Sequence, residues 1–134
     1  MDANAVGRSY PDAFGNVRLA TKTGVSLAAT GDVATLVPQA ATKYIVRRIT
    51  LSNFSAAASN ANVAVFPAAG GTGTAVANAQ VTSGVTTANN FVDLTLSATA
   101  NATVYTAKPL YLRLVANTNA VTCDVNIYGD IVTL

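Results

Sequence analysis

The sequence contains no histidine, glutamate or tryptophan, and its single cysteine is Cys123. Histidine, acidic residues and reactive cysteine carry out most acid–base, nucleophilic and metal-binding chemistry near neutral pH. Their scarcity argues against an enzyme, and we predict no catalytic residue, no cofactor and no metal. One cysteine also excludes an internal disulfide. Because Cys123 alternates in phase with apolar residues, it is predicted to be a small buried hydrophobic side chain.

Charge is equally scarce, at 10% of the residues, whereas soluble domains usually have about a quarter. The net charge of +2 comes from scattered arginines and lysines without a basic run, so nucleic acid is not a predicted partner. A surface with so few charges favours extensive contact with other protein, or solubility through threonine, serine and asparagine alone.

Long apolar runs are absent as well. No stretch approaches the roughly 20 residues that a membrane-spanning helix requires. The first four residues also do not begin a basic segment followed by an apolar one. We therefore predict no membrane partner and no secretory signal, and we expect synthesis and folding in a cytoplasm. The 134 residues fit one folded domain.

What the sequence does contain is short segments in which apolar and polar residues alternate, separated by turns of small residues. The alternation is strict over residues 92–97, 110–115 and 121–128, as is typical of antiparallel strands with one buried face. No segment keeps a helical pattern. Eight to ten such strands predict an all-β fold, an antiparallel two-sheet sandwich with a jelly roll as the leading form.

Further strands are predicted over residues 17–20, 25–29, 33–37, 43–54, 74–81, 103–106 and 131–134 and around Val63 and Val65. A tight turn is expected at residues 30–32, and Gly129 is expected to mark a bulge. Within 43–54 the apolar positions change phase. A one-residue bulge near Arg47 and Arg48 reconciles the two phases and turns both guanidinium groups outward.

The first part of the chain differs from the rest. Residues 1–22 lack any period and are predicted to form an extended N-terminal arm, followed by a β-sandwich domain over residues 23–134. A terminus is ordered only when something holds it. The aromatic side chains of the arm therefore either fold back on their own domain or anchor the arm on a neighbouring subunit. The arm residues chosen as interface candidates are Arg8, Tyr10, Phe14 and Arg18.

Three arginines of the predicted strands complete the candidate interface: Arg47, Arg48 and Arg113. On a solvated face they would protect strand edges from pairing with other chains. At an interface they would offer bidentate contacts to carboxylates of a partner. Both interpretations remain open, and the scarcity of other charge strengthens the second.

Two other groups of residues have a possible chemistry and a simpler explanation. Asp93, Asp124 and Asp130 could approach one another and bind a hard cation such as calcium, although outward-facing strand residues are the favoured interpretation. Residues 68–74 are rich in glycine, like part of a phosphate-binding loop. They lack the lysine ending and the following helix of such loops, so a flexible connection between strands is favoured.

The aperiodic arm, the strands rich in threonine, alanine and asparagine, and the closing segment Val-Asn-Ile-Tyr-Gly-Asp at 125–130 together resemble the capsid decoration, or cement, proteins of tailed bacteriophages. This resemblance covers essentially the whole chain but transfers no binding residue. It implies a β-sandwich or jelly-roll virion protein that forms a homotrimer. It further implies attachment to the capsid exterior, where the trimer stabilises contacts between major capsid subunits.

Three alternatives remain. A carbohydrate-binding module of a phage fibre would use exposed aromatics beside an aspartate, and Tyr105, Tyr111 and Tyr128 with Asp124 are the candidates. The absence of tryptophan counts against it. A small jelly-roll capsid or pilus-like subunit is the second alternative, for which the chain is short. A divergent enzyme ranks last.

Overall fold

The computed structural model describes residues 17–38, 43–106, 109–116 and 120–132. These residues form two antiparallel sheets and no α-helix, which confirms the predicted all-β sandwich. Among them, no helix is long and apolar enough to span a bilayer. The strands are β1 (Val17–Ser26), β2 (Gly31–Leu36), β3 (Lys43–Ser52), β4 (Asn62–Phe66), β5 (Ala77–Val81), β6 (Phe91–Asp93), β7 (Tyr105–Thr106), β8 (Leu110–Ala116) and β9 (Thr122–Ile131).

The strand pairs are nested. The first sheet has the order β1-β9-β3-β6, with β7 also paired to β3, and the second sheet has the order β2-β8-β4-β5. Thus β1 pairs with β9, β2 with β8, β3 with β6 and β4 with β5. The long strand β9 lies between β1 and β3. One of its faces therefore meets the core, and the other forms part of the outer surface.

The core lies between the two sheets and consists mainly of valine, leucine and isoleucine. Burying one such side chain completely contributes about 1.5–3 kcal/mol relative to leaving it exposed. The aromatic ring of Tyr44 is also fully buried and stacks on Tyr105 with 5.5 Å between ring centroids. The largest fully buried aliphatic side chains are Leu27, Leu36, Val46, Ile49, Leu51, Val63, Val65, Leu110, Leu112, Leu114 and Ile127.

The predicted bulge in β3 is present. Val46 pairs with Gly129 and Arg48 with Tyr128, so Arg47 is the additional residue. Strand β1 has a matching irregularity on the other side of β9, because Arg18 pairs with Tyr128 while Ala20 pairs with Ile127. Both neighbours of β9 therefore carry an additional residue at the same level of the sheet.

Several predicted boundaries were wrong. Residues 17–22 pair with β9 in the first sheet, so they belong to the sandwich and not to an arm that ends at residue 22. The predicted strands 17–20 and 25–29 merge into β1, which tolerates a register shift between Lys22 and Val25. The predicted turn at 30–32 is displaced, since Gly31 already begins β2.

Near the end of the chain, two further expectations need correction. The alternation over 92–97 yields only the three-residue strand β6, because Leu94 leaves the strand while remaining buried. Strand β9 continues through Gly129 to Ile131, so the bulges lie in the neighbouring strands and not at Gly129. The arm candidates Arg8, Tyr10 and Phe14 lie outside the described residues.

Candidate functional site

The outer face of the first sheet carries a row of three large polar side chains. Arg18 on β1 and Arg48 on β3 both pair with Tyr128 on β9. Directly opposed residues of antiparallel strands project from the same face, so the three side chains share one surface. The guanidinium carbon of Arg48 lies 4.6 Å from the centroid of the Tyr128 ring, which is a cation–π contact. We call these residues the Arg–Tyr–Arg row.

The two bulges create this row. In β1, the additional residue allows Leu19 and Ala20 both to face the core, where each is buried. The flanking Arg18 can then remain on the outer surface opposite Tyr128. In β3, the additional Arg47 has the same effect between the buried Val46 and the exposed Arg48. Without these irregularities a strict two-residue period would turn one arginine toward the core.

An ion pair borders the row. Arg47 Nε donates a hydrogen bond to Asp130 Oδ2 over 2.8 Å, and the Asp130 side chain is only 11% exposed. A carboxylate this poorly solvated requires a charged donor to offset its lost hydration. The predicted interface residue Arg47 therefore has a structural role within its own chain.

The remaining strand arginine, Arg113, lies on the outer face of the second sheet. Its Nη1 donates to Asp32 Oδ1 over 3.0 Å, while the Gly70 backbone N–H donates to the other oxygen over 2.8 Å. The Gly70 hydrogen bond, together with the Arg113 guanidinium, lowers the pKa of Asp32 below its ordinary value. Asp32 thus holds the glycine-rich loop 68–74 against the sheet, and no helix follows that loop.

The other two described aspartates are also engaged by their own chain. Asp93 accepts a hydrogen bond from the Thr50 hydroxyl. Asp124 accepts one from the Gly24 backbone N–H at 3.0 Å and one from the Asn53 amide at 3.1 Å. In the described part of the chain, no three His, Cys, Asp or Glu residues cluster as metal ligands. The cation site considered from the sequence is therefore not assembled there.

The Arg–Tyr–Arg row differs from these engaged groups. Neither Arg18 nor Arg48 forms an ion pair within the described ranges, where the two ion pairs are Arg47–Asp130 and Arg113–Asp32. Both arginine side chains are exposed. Arg18 and Arg48 thus present two positive charges on the outer face of the first sheet that no described carboxylate neutralises.

The tyrosines proposed for carbohydrate binding are not brought together. Tyr128 projects from the first sheet, whereas Tyr111 on β8 pairs with Thr35 and belongs to the second. Tyr105 stacks on the core residue Tyr44. A cleft lined by these three rings is therefore not formed.

The single thiol and two of the tyrosines are held in their neutral forms. Cys123 is buried, as predicted, and burial together with the neighbouring Asp124 raises the pKa of its thiol to about 12. Burial likewise raises the pKa of Tyr44 and of Tyr105. A nucleophilic cysteine requires a lowered pKa, so Cys123 serves packing.

Of the seven predicted interface residues, the structure brings Arg18 and Arg48 together and places Arg47 beside them. Arg113 lies on the opposite sheet. The sequence analysis missed Tyr128 as the centre of the surface. The alternation of side chains along β9 could have revealed it, because Tyr128 lies on the same face as Asn126 and Asp130.

Comparisons with known protein families, curated proteins and solved structures find no match to this chain.

Proposed function

We propose that this chain is a non-enzymatic structural protein that binds other protein through the outer face of its first sheet. The observation that carries the proposal is the Arg–Tyr–Arg row, whose two arginines have no described carboxylate partner. Tyrosine and arginine are enriched where interfaces gain most of their binding energy. The second sheet offers no equivalent, because its Arg113 is already paired with Asp32.

We further propose that the partner is a phage capsid and that the chain is a decoration protein on its exterior. A decoration protein must be compact and present in many copies, and it needs no reactive group. The two-sheet architecture and the low charge of 10% suit that role. The resemblance to decoration proteins supports it and implies a homotrimer in contact with major capsid subunits.

Nested strand pairing supports a jelly roll as the form of this sandwich. The pairs β1–β9, β2–β8, β3–β6 and β4–β5 are those expected when one long antiparallel ribbon is wound into two facing sheets. Jelly-roll domains are common in viral capsids. A fold alone does not determine a function, so this point is secondary to the surface.

The decisive experiment is to locate the chain on virions. A carboxyl-terminal tag is introduced into the phage genome that encodes the chain, and purified particles are examined by immunogold electron microscopy. We expect label over the head exterior and, for the purified protein, a trimeric mass in solution. Label only at tail fibres, no label on particles, or self-assembly of the purified protein into closed shells would contradict the proposal.

The arm is tested separately. Deleting residues 1–15 leaves every described strand intact, because β1 begins at Val17. We expect the truncated protein to keep its oligomeric mass and its cooperative unfolding but to lose attachment to heads. Attachment equal to that of the full chain would remove the arm from the mechanism while leaving the binding face in place.

A further inference from the structure

We propose that the Arg–Tyr–Arg row binds an extended, acidic segment of a partner protein through two carboxylates. This inference deepens the proposed function, since it states what the binding face recognises. It rests on the charge balance of the described residues, on the spacing of the two arginines and on the tyrosine between them.

The charge balance identifies the missing partner as an anion. Each described aspartate already accepts a hydrogen bond from a group of its own chain: Asp32 from Arg113 and Gly70, Asp93 from Thr50, Asp124 from Gly24 and Asn53, and Asp130 from Arg47. Arg18 and Arg48 are left without such an acceptor in the described ranges. The surface is therefore complementary to carboxylates, and the described aspartates do not supply them.

The spacing indicates two carboxylates on one extended segment. Arg18 and Arg48 flank β9, and neighbouring strands are about 4.8 Å apart, which places the two backbones roughly 10 Å from each other. Alternate side chains of an extended segment lie about 7 Å apart on one face. The two arginine side chains are long enough to lean toward each other and close the gap between these two distances. A segment with the pattern acidic–x–acidic that crosses β9 can therefore contact both arginines.

Tyr128 adds a platform between the charges. Its ring is half-buried and already contacts the Arg48 guanidinium, which restrains that group over the ring. An oriented guanidinium loses less freedom when it makes a bidentate contact with a carboxylate. The ring also provides apolar surface for the aliphatic part of the bound segment.

A nucleic acid fits this surface less well. Binding along a phosphate backbone uses many cations in a continuous track, whereas the Arg–Tyr–Arg row has two, and the described acceptor side chains of the same sheet include Asn126 and Asp93. The protein segment is therefore the occupant that the charges favour, and binding of an oligonucleotide becomes an outcome of the test.

The test uses the full chain and two blocked heptapeptides. The acidic peptide alternates threonine with three aspartates, and its matched control replaces each aspartate by asparagine. Chemical shifts of the protein are followed by NMR up to about 1 mM peptide. We expect the acidic peptide to shift the signals of Tyr128 and of the Arg18 and Arg48 side chains, and the control to shift none of them.

Variants identify the residues responsible. We expect Arg18→Gln and Arg48→Gln each to weaken binding about tenfold, and the double variant to abolish the shifts. Arg113→Gln, the matched change on the opposite sheet, should bind like the original chain. Replacing both arginines of the row by lysine should give an intermediate affinity, because charge is kept while the bidentate geometry is lost. Cooperative thermal unfolding of each variant confirms that the fold persists.

Four results would overturn the inference: no shifts with the acidic peptide, equal binding of the asparagine peptide, unchanged binding by the double variant, or tighter binding of a short oligonucleotide at the same residues. Its failure is distinguishable from that of the proposed function. If the double variant still decorates heads as the original chain does, the acidic segment is wrong while decoration stands. If the peptide binds but the chain is absent from virions, the surface is right and decoration is wrong.

Discussion

The carbonyl oxygen of Ile45 occupies the space that a side chain on Gly129 would need. A Cβ atom built on Gly129 lies 1.9 Å from that oxygen and 2.9 Å from a methyl group of Leu19. Gly129 is the residue of β9 next to both bulged neighbours. Its missing side chain leaves room for the β3 backbone at Ile45 and for the Leu19 side chain at the point where the Arg–Tyr–Arg row is formed.

Gly129→Ala should therefore destabilise the protein by about 3 kcal/mol or more, because the contact is with backbone that cannot move aside independently. Gly24→Asn is the control. Gly24 has a φ of +63° and no atom within 4 Å of an added Cβ, and asparagine tolerates that conformation. Urea unfolding measures both variants. Equal, small losses of unfolding free energy in the two variants would contradict this prediction, because they would show that the sheet at Gly129 accommodates a side chain.

The two ion pairs should differ in their contribution to stability. The Asp130 side chain is 11% exposed and the Asp32 side chain 27%, so losing the cation is more costly for Asp130. We expect Arg47→Met to lower the free energy of unfolding by about 2 kcal/mol. The matched Arg113→Met should lower it by less than about 1 kcal/mol. Chemical denaturation of both variants gives the comparison, and the reverse order would contradict the assigned role of Arg47.

The hydrogen bond from Gly70 of the glycine-rich loop to Asp32 should weaken at acid pH, when Asp32 becomes protonated. The pKa of Asp32 is lowered, so its ionised form stabilises the fold, and this contribution is lost as the pH falls through the folded-state pKa. We expect the Gly70 amide proton signal to titrate with a midpoint below 3.8, the ordinary value of this carboxyl. Asp32→Asn should abolish the titration, whereas Asp93→Asn should leave it. A midpoint above 3.8 would be inconsistent with the Gly70 hydrogen bond.

Cys123 should be inert in the folded protein. With the pKa of its thiol raised to about 12 by burial and by Asp124, almost none is ionised at pH 8, and reagents cannot reach it. We expect a disulfide reagent such as Ellman's to label Cys123 only after denaturation. The neutral thiol is favoured in the fold, so stability should fall as the pH rises above 9, and Cys123→Val should lessen this fall. Rapid labelling of the native chain would contradict the buried position of Cys123.

The alternation of apolar and polar residues along β8 and β9 was sufficient to predict their buried faces. Burial of one strand face imposes a period of two on the sequence when the other face is exposed to solvent. The bulge at Arg47 was predictable for the same reason, since the apolar phase changes between Val46 and Ile49. The bulge in β1 was hidden, as adjacent Leu19 and Ala20 are both buried and read as a short isolated strand.

The binding face could be predicted only in part. Arginines on outward positions were visible in the sequence, but their separation into paired and unpaired groups depends on cross-strand register. Arg113 meets Asp32, a residue 81 positions away, and Arg47 meets Asp130 across the bulge. Such long-range pairing follows from the order of strands in each sheet, which local patterns do not encode.

The outward-facing side chains of β9 and of its two neighbours do not pack in the core, because each strand sends alternate side chains to opposite faces of the sheet. Exchanging Arg18, Tyr128 or Arg48 therefore alters what this wall of the sandwich recognises without changing the volume enclosed behind it. A scaffold of this kind can acquire new binding partners through a few surface substitutions. Protein engineering could change its binding specificity in the same way.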